Sequence, residues 1–209
     1  MGVGVTSRTQ DRLALFVDYQ NCYRGARSAF FRDDDPAPRG QVRPRQLGMR
    51  LAERGDARRV LVGVFVCRGL PSSSRDSKGF GAAERQIAHW QRERLVQAWS
   101  RPLNYRDPSR PQEKGVDVKI AVDMVTMAMR DEFDIAVLFS NDTDFVPAIE
   151  SVMNIKGSDL ACEVATWVPS DGRRIKPIRL AGRKLWVNRL SRADFSRVED
   201  NTDYTRRRR

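Results

Sequence analysis

The chain has 209 residues, 40% of them hydrophobic, and a formal net charge of +11 at pH 7. This length suits one α/β domain with a tail or an inserted loop, and no run of about 18 apolar residues indicates a membrane span. The first residues lack the apolar stretch of a secretory signal, and the 3 cysteines show no CxxC spacing, so we expect a cytoplasmic protein with free thiols. The positive charge favours polyanionic partners, although the arginines that end the chain contribute to it.

Short apolar runs alternate with longer amphipathic segments along the chain. An apolar run of about five residues between polar residues is typical of a strand buried in a parallel sheet, whereas a longer run favours a helix. The predicted strands are 13–17, 60–66, 134–139, 161–168 and, at an edge of the sheet, 184–188. The predicted helices are 19–31, 44–54, 82–100, 116–129 and 146–154. This alternation predicts an α/β fold with three layers, α/β/α, around a mostly parallel central sheet.

The same features suggest how the domain is bounded. Residues 1–12 are polar and are predicted to form a flexible N-terminus. Residues 13–190 hold the predicted strands and helices, and we expect them to form the domain. Residues 191–209 are rich in charge and are predicted to form a C-terminal tail.

Acidic residues follow two of the predicted strands. Asp18 comes directly after the first strand, and Asp142 and Asp144 follow the strand at 134–139. Carboxyl ends of parallel strands meet at one edge of a sheet, where ligands bind, so neighbouring strands would bring these side chains together. Carboxylates so placed repel one another unless protons or a cation neutralise them, and their hard oxygens suit Mg²⁺ or Mn²⁺. A divalent metal site is therefore expected there.

A third carboxylate, Asp117, lies at the start of the helix predicted at 116–129. A helix N-terminus favours negative charge, so Asp117 is either a helix-capping residue or a ligand of the same site. Asp123 lies on a polar stripe with Lys119, at the spacing of a solvated face with local ion pairs, and ranks below Asp117 as a ligand.

Two other side chains bear on the chemistry. Asn21, three residues after Asp18, is placed either to orient a water or phosphate oxygen or to hydrogen-bond the helix start. The single histidine, His89, is interpreted as structural. Hydrolysis would then need a metal-activated water in place of a histidine base.

Together, three sequence blocks resemble the NYN domain, a branch of the PIN-like nuclease superfamily. They are Phe16-Val-Asp-Tyr-Gln-Asn21, Lys114-Gly-Val-Asp117 with Ala121-Val-Asp-Met124, and Leu138-Phe-Ser-Asn-Asp-Thr-Asp-Phe-Val-Pro147. The resemblance covers roughly residues 12–168 and is expected to extend to about residue 190. It implies a PIN-like α/β/α fold and Mg²⁺- or Mn²⁺-dependent cleavage of phosphodiesters, usually in RNA.

The resemblance also implies residue roles. It places the catalytic site on Asp18, Asn21, Asp117, Asp142 and Asp144, with metal ligands Asp18, Asp117 and Asp142. The family's usual Asp-Gly-x-Asn is Asp-Tyr-Gln-Asn here, and its Ser-Gly-Asp is Ser-Asn-Asp, so no carboxylate is lost. Asp123 also matches a recurrent family position.

Candidates for contacts with substrate are Arg24, Lys114 and Ser140. The hypothesis is a metal-dependent ribonuclease, expected to be an endonuclease, that acts on single-stranded or structured RNA. One alternative is a non-catalytic RNA- or protein-binding module on the same fold. Another is a metal-dependent phosphatase acting on small phosphate esters. No membrane partner is expected, and a homodimer is possible.

Overall fold

The computed structural model describes residues 10–54, 59–107, 112 and 114–206. Its strands are β1 (Asp11–Asp18), β2 (Arg59–Leu70), β3 (Val96–Pro102), β4 (Ile135–Phe139), β5 (Cys162–Trp167) and β6 (Trp186–Leu190). Its α-helices are α1 (Tyr19–Phe30), α2 (Pro44–Glu53), α3 (Ser77–Trp90), α4 (Val116–Met129), α5 (Val146–Lys156) and α6 (Arg192–Val198).

The strands form one sheet in the order β3-β2-β1-β4-β5-β6, and every neighbouring pair is parallel. The predicted three-layer α/β/α fold is confirmed, with a sheet that is parallel across all six of these strands. Strands β1 and β4 are direct neighbours, with Val17 opposite Phe139, so their carboxyl ends meet at one edge. The chain builds the sheet outward in both directions from this pair, and ligands bind at such a switch point.

Strand β1 supplies side chains to both hydrophobic cores, because successive residues of a strand face opposite sides of the sheet. Leu13, Leu15 and Val17 pack with apolar side chains of α1, α2 and α6 on one face. Ala14 and Phe16 pack with those of α4 and α5 on the other face. Helices therefore cover both faces of the central strands and fix the positions at which β1 and β4 end.

The single long helix predicted at 82–100 is wrong in its second half. Helix α3 ends at Trp90, and the edge strand β3 begins at Val96. Val96 and Ala98 pack towards one core, whereas Trp99 lies on the face that carries α4, which is the two-residue period of a strand. Apolar residues of this segment also fall at helical spacing, so the pattern does not separate the two possibilities.

The C-terminal segment differs from the prediction of a charged tail at 191–209. Helix α6 packs Phe195 and Val198 into the core, and Tyr204 beyond it is 8% exposed. The hydroxyl of Tyr204 donates to Asp200 at 2.7 Å, which fixes this end of the chain. A few apolar side chains thus anchor a segment whose composition is mostly charged, and the packed domain continues to Tyr204.

Of the N-terminal segment predicted to be flexible, residues 1–12, the structure describes only residues 10–12. Residues 1–9 of the segment predicted to be flexible lie outside the described residues. Strand β1 already includes Arg12, whose Nη2 lies 2.9 Å from Oδ1 of Asp134. This ion pair joins the start of β1 to the residue that precedes β4.

The expectations for the cysteines and for membrane-spanning helices can also be compared with the structure. Cys22 and Cys162 are buried free thiols, and burial raises the pKa of Cys162 to about 12. Across the described parts of the chain, no helix is both long and apolar enough to span a bilayer.

Candidate active site at the carboxyl edge of the sheet

Asp18 ends β1 and is at the same time the N-cap residue of α1. Its Oδ1 accepts a hydrogen bond from the backbone N–H of Asn21 at 3.0 Å, and its Oδ2 accepts one from the hydroxyl of Ser140 at 3.3 Å. The residue is only 5% exposed. Both carboxylate oxygens are therefore held in place at the switch point of the sheet.

The loop after β4 is tied to its neighbours by side-chain amides. The backbone N–H of Asn141 donates to Oδ1 of Asn21 at 3.3 Å, and Nδ2 of Asn141 donates to Oγ1 of Thr166 in β5 at 3.0 Å. Asn21 makes the helix-start hydrogen bond considered from sequence, but through its backbone N–H, which donates to Asp18. Its side-chain oxygen has a further role, because it holds the loop that carries Asp142.

Ser140 lies beneath the site, although it was expected to contact substrate. It is 1% exposed, and its Oγ donates to Asp18 and accepts from the backbone N–H of Asp142 at 3.2 Å. The hydroxyl thus joins the ends of β1 and β4. Ser140 acts on the site by positioning two carboxylates.

Asp142 and Asp144 lie at a short 3-10 turn, Thr143–Phe145, that follows β4. Asp142 caps this turn, because its Oδ1 accepts from the backbone N–H of Asp144 at 3.0 Å. Asp142 is partly buried, and Asp144 is exposed.

Asp117 lies in the first turn of α4, whose N-cap residue is Gly115. The N-cap position is therefore not that of Asp117, and the helix start has no side-chain capping hydrogen bond. Burial raises the pKa of Asp117, and the negative charges of Asp142 and Asp144 raise it further. Asp117 and Asp142 line the same cleft, so their carboxylates repel one another there.

A cleft of about 420 Å³ at this edge collects most of the predicted site residues. It is lined by Asp18, Gln20, Asn21, Arg24, Gly25, Ser28, Asp117 and Asp142. Asp144 is outside this lining but acts on Asp117 through its charge. Lys114 is exposed and is also outside the lining.

One wall of the cleft holds Arg24, which was predicted from sequence, and two residues that were not, Gln20 and Ser28. Gln20, Arg24 and Ser28 follow one another at four-residue spacing along α1, so they share one helix face. With its amide oxygen turned towards Arg24, Gln20 accepts from the guanidinium Nε at 2.7 Å and Nη2 at 2.8 Å. The spacing in the sequence was the available signal for this polar face.

Asp123 lies elsewhere, as its polar stripe predicted. Its carboxylate is paired with the ammonium of Lys119 one helical turn away, and both side chains border a different cavity. Asp117 and Asp123 are on the same helix, but only Asp117 faces the acidic cleft.

The donors in the cleft fit a hard divalent cation in type and charge. They are carboxylate and amide oxygens, and the mutual repulsion that raises the pKa of Asp117 is what a cation would relieve. Within the described residues, however, no three His, Cys, Asp or Glu side chains already form a metal-binding group. The expected three-carboxylate cage of Asp18, Asp117 and Asp142 is thus not preassembled, and Oδ1 of Asp18 and of Asp142 each accepts a backbone hydrogen bond. Mg²⁺ is often bound by one or two carboxylates with waters and substrate phosphates completing its shell.

A parallel α/β/α fold with carboxylates gathered where β1 and β4 end is the architecture of a PIN-like protein. The chain matches the NYN domain over residues 12–161 and belongs to the NYN domain family. This family is generally nuclease-like, which supports a hydrolase at that coarse level, and its nucleases typically use divalent metals.

Comparison with solved structures supports the fold. A crystal structure of a protein of unknown function from Vibrio parahaemolyticus RIMD 2210633 matches with a TM-score of 0.51 and 20% sequence identity. The match covers 77% of this chain and 84% of that chain, and at this identity it concerns the fold alone. No curated protein matches the chain.

Proposed function

We propose that this protein is a ribonuclease that depends on Mg²⁺ or Mn²⁺ and hydrolyses RNA phosphodiester bonds endonucleolytically. The observation that carries the proposal is the meeting of Asp18, Asp117 and Asp142 in one cleft, where burial and then neighbouring negative charge raise the pKa of Asp117. Perturbed carboxylates in a cleft at a switch point are typical of functional sites.

In this proposal Asp18, Asp117 and Asp142 hold the ion, and Asp144 adds negative charge beside them. When bound, a divalent ion supplies a water of lowered pKa and stabilises charge on the phosphodiester oxygens. Ser140 keeps the ends of β1 and β4 in register with each other through its two hydrogen bonds.

The cleft also has groups that suit a phosphate. Arg24 brings a guanidinium to its wall, and a guanidinium donates to phosphate oxygens in a fixed, forked geometry. Asn21 lines the same cleft with its Nδ2 as a donor. The net charge of +11 favours a polyanion over a small phosphate ester as the substrate.

A non-catalytic RNA-binding module is the second candidate function. The observation that favours it is the net charge of +11, which suits binding of a polyanion whether or not the protein cleaves it. Such a module would bind RNA in a salt-dependent manner and release it unchanged.

The test is cleavage of a labelled single-stranded RNA in the presence of Mn²⁺ or Mg²⁺. We expect Asp142→Asn to lower the rate at least about 100-fold, because it removes a ligand charge, and excess chelator to abolish cleavage. Asp123→Asn is the matched control, since Asp123 is a carboxylate paired with Lys119 outside the cleft, and it should retain activity.

The outcomes separate the candidates. Cleavage that is unchanged in Asp142→Asn, or that survives the chelator, contradicts the proposal. Salt-sensitive binding of RNA without turnover at any metal concentration supports the non-catalytic module. Turnover of a chromogenic phosphate ester in preference to RNA would indicate the phosphatase.

A further inference from the structure

Each edge strand of the sheet presents an exposed tryptophan. Trp99 in β3 is 36% exposed, and Trp186 in β6 is 56% exposed. In β3 the residues Val96 and Ala98 pack towards the core formed with α1 and α2, so Trp99 and Arg101 face the side of the sheet that carries α4. Trp99 there borders a cavity with Ile120 of α4, and its indole remains accessible to solvent.

The two tryptophans differ in their charged neighbours. The guanidinium of Arg101 lies 5.5 Å from the ring centroid of Trp99, and the ammonium of Lys119 lies 5.4 Å from it. Lys119 is neutralised by its ion pair with Asp123, whereas Arg101 forms no ion pair with any residue that the structure describes. An accessible aromatic ring beside a cation of this kind suits a ligand that has both a flat base and a negative charge.

Arg101 links this aromatic surface to the acidic cleft. Its Nη1 lies 3.1 Å from the position that a Cβ at Gly115 would occupy, and Gly115 has a φ of +76°. Gly115 is the N-cap residue of α4, two residues before Asp117. The side chains of Trp99 and Arg101 therefore lead along the sheet edge to the helix turn that carries a cleft carboxylate.

We propose that Trp99 and Arg101 form a binding subsite for an unpaired nucleotide of the RNA substrate. A base stacks on the indole, and the adjoining phosphate is held by Arg101. Stacking on an aromatic side chain requires a base that is free of its duplex, so the subsite selects single-stranded RNA. The inference rests on the proposed function, from which it takes RNA as the substrate. It adds that this subsite binds RNA in its single-stranded form.

The test is binding of a fluorescently labelled single-stranded RNA and of the same sequence as a duplex, by anisotropy, in excess chelator so that no turnover occurs. We expect Trp99→Leu to weaken binding of the single strand about 5- to 100-fold, because leucine fills the space without offering a flat ring. Trp99→Phe should bind within about threefold of the wild type, since phenylalanine still stacks. Trp186→Leu is the matched control from the opposite edge strand and should bind as the wild type does.

Thermal unfolding of each variant checks that differences in binding do not come from loss of folded protein. Equal affinity of Trp99→Leu and Trp186→Leu, or an equal loss on single strand and duplex, overturns the subsite. If the wild type does not cleave but Trp99→Leu still loses affinity, the ribonuclease proposal fails and the subsite stands. If the wild type cleaves single-stranded RNA and Trp99→Leu changes neither affinity nor KM, the subsite alone fails.

Discussion

The carboxylates of this protein lie in two contrasting kinds of surroundings. Around α6, Asp194 accepts from Nε of Arg50 at 2.8 Å and from Nη1 of Arg54 at 3.0 Å. Burial alone would raise the pKa of Asp194, but hydrogen bonds from Ser191 and Arg50 and the charge of Arg54 outweigh it and hold that pKa below its ordinary value. The folded chain thus supplies Asp194 with two positively charged partners, Arg50 and Arg54.

The carboxyl edge of the sheet has the opposite arrangement. Burial and the charges of Asp142 and Asp144 raise the pKa of Asp117, and none of the three forms an ion pair with a residue in the described ranges. Both regions contain buried or partly buried aspartates, so burial does not distinguish them. The presence or absence of a built-in counter-charge separates the acid that holds the fold together from the acids that are available to a ligand.

Removing the charge of Asp194, which is paired with two arginines, should have the largest effect on stability. Asp194→Asn leaves Arg50 and Arg54 facing a neutral amide, and we expect the free energy of unfolding to fall by about 2–4 kcal/mol. Urea unfolding measures this change, while RNA cleavage per folded molecule should not change.

Asp171→Asn is the control for this prediction. Asp171 is exposed and also paired with an arginine, Arg173, at 2.6 Å, but solvent screens the pair. The unfolding midpoint of Asp171→Asn should therefore match that of the wild type. A loss of stability as large as that of Asp194→Asn would show that the contrast with the buried pair is wrong.

At the carboxyl edge of the sheet, where Asp117 lies, the expected effect on the free energy of unfolding appears only when metal is added. Mn²⁺ at about 100 times its Kd should stabilise the wild type by about 2.7 kcal/mol, since an ion that binds only the folded state shifts unfolding by mass action. Asp117→Asn should lose this gain, and without metal it should be no less stable than the wild type because it removes a repelled charge.

Thermal unfolding with and without Mn²⁺ measures both parts of this prediction. Asp123→Asn, on the same helix but paired with Lys119, should keep the full stabilisation by metal. Equal stabilisation of Asp117→Asn and the wild type would place the ion outside the cleft.

Features that depend on short sequence patterns could be predicted better than features that depend on contacts between distant segments. An apolar run followed by an aspartate, directly for Asp18 and after two polar residues for Asp142, places both residues near strand ends, and the ends of neighbouring parallel strands coincide. The four-residue spacing of Lys119 and Asp123 likewise predicted the ion pair that the structure contains. These predictions succeeded because each depends on local periodicity.

Features that depend on contacts between distant segments could not be obtained in this way. The pairing of Asp194 with Arg50 joins residues 144 positions apart, and charge composition alone had suggested a tail there. The burial of Ser140 likewise follows from how β1 and β4 pack, which a polar residue after a strand does not reveal. Strand β3 was missed because its residues fit a helical period as well.

The smallest expected effect is a difference in how the two kinds of acid respond to pH. The folded-state pKa of Asp194 is depressed below its unfolded value of about 3.9, so its contribution to stability is fully present above that pH and is lost as pH falls through the folded-state pKa. The gap in unfolding free energy between wild type and Asp194→Asn should therefore be constant near neutral pH and shrink on acidification below about pH 4.

Asp117 should behave with the opposite sign, because its raised pKa means that the folded state gains stability as this carboxyl takes up a proton. Urea unfolding of the wild type, Asp194→Asn and Asp117→Asn across an acidic pH series without metal measures both trends. If the unfolding free energy of the wild type minus that of the variant changed in the same direction for Asp194→Asn and Asp117→Asn as pH falls, built-in counter-charge would not be what distinguishes the two regions.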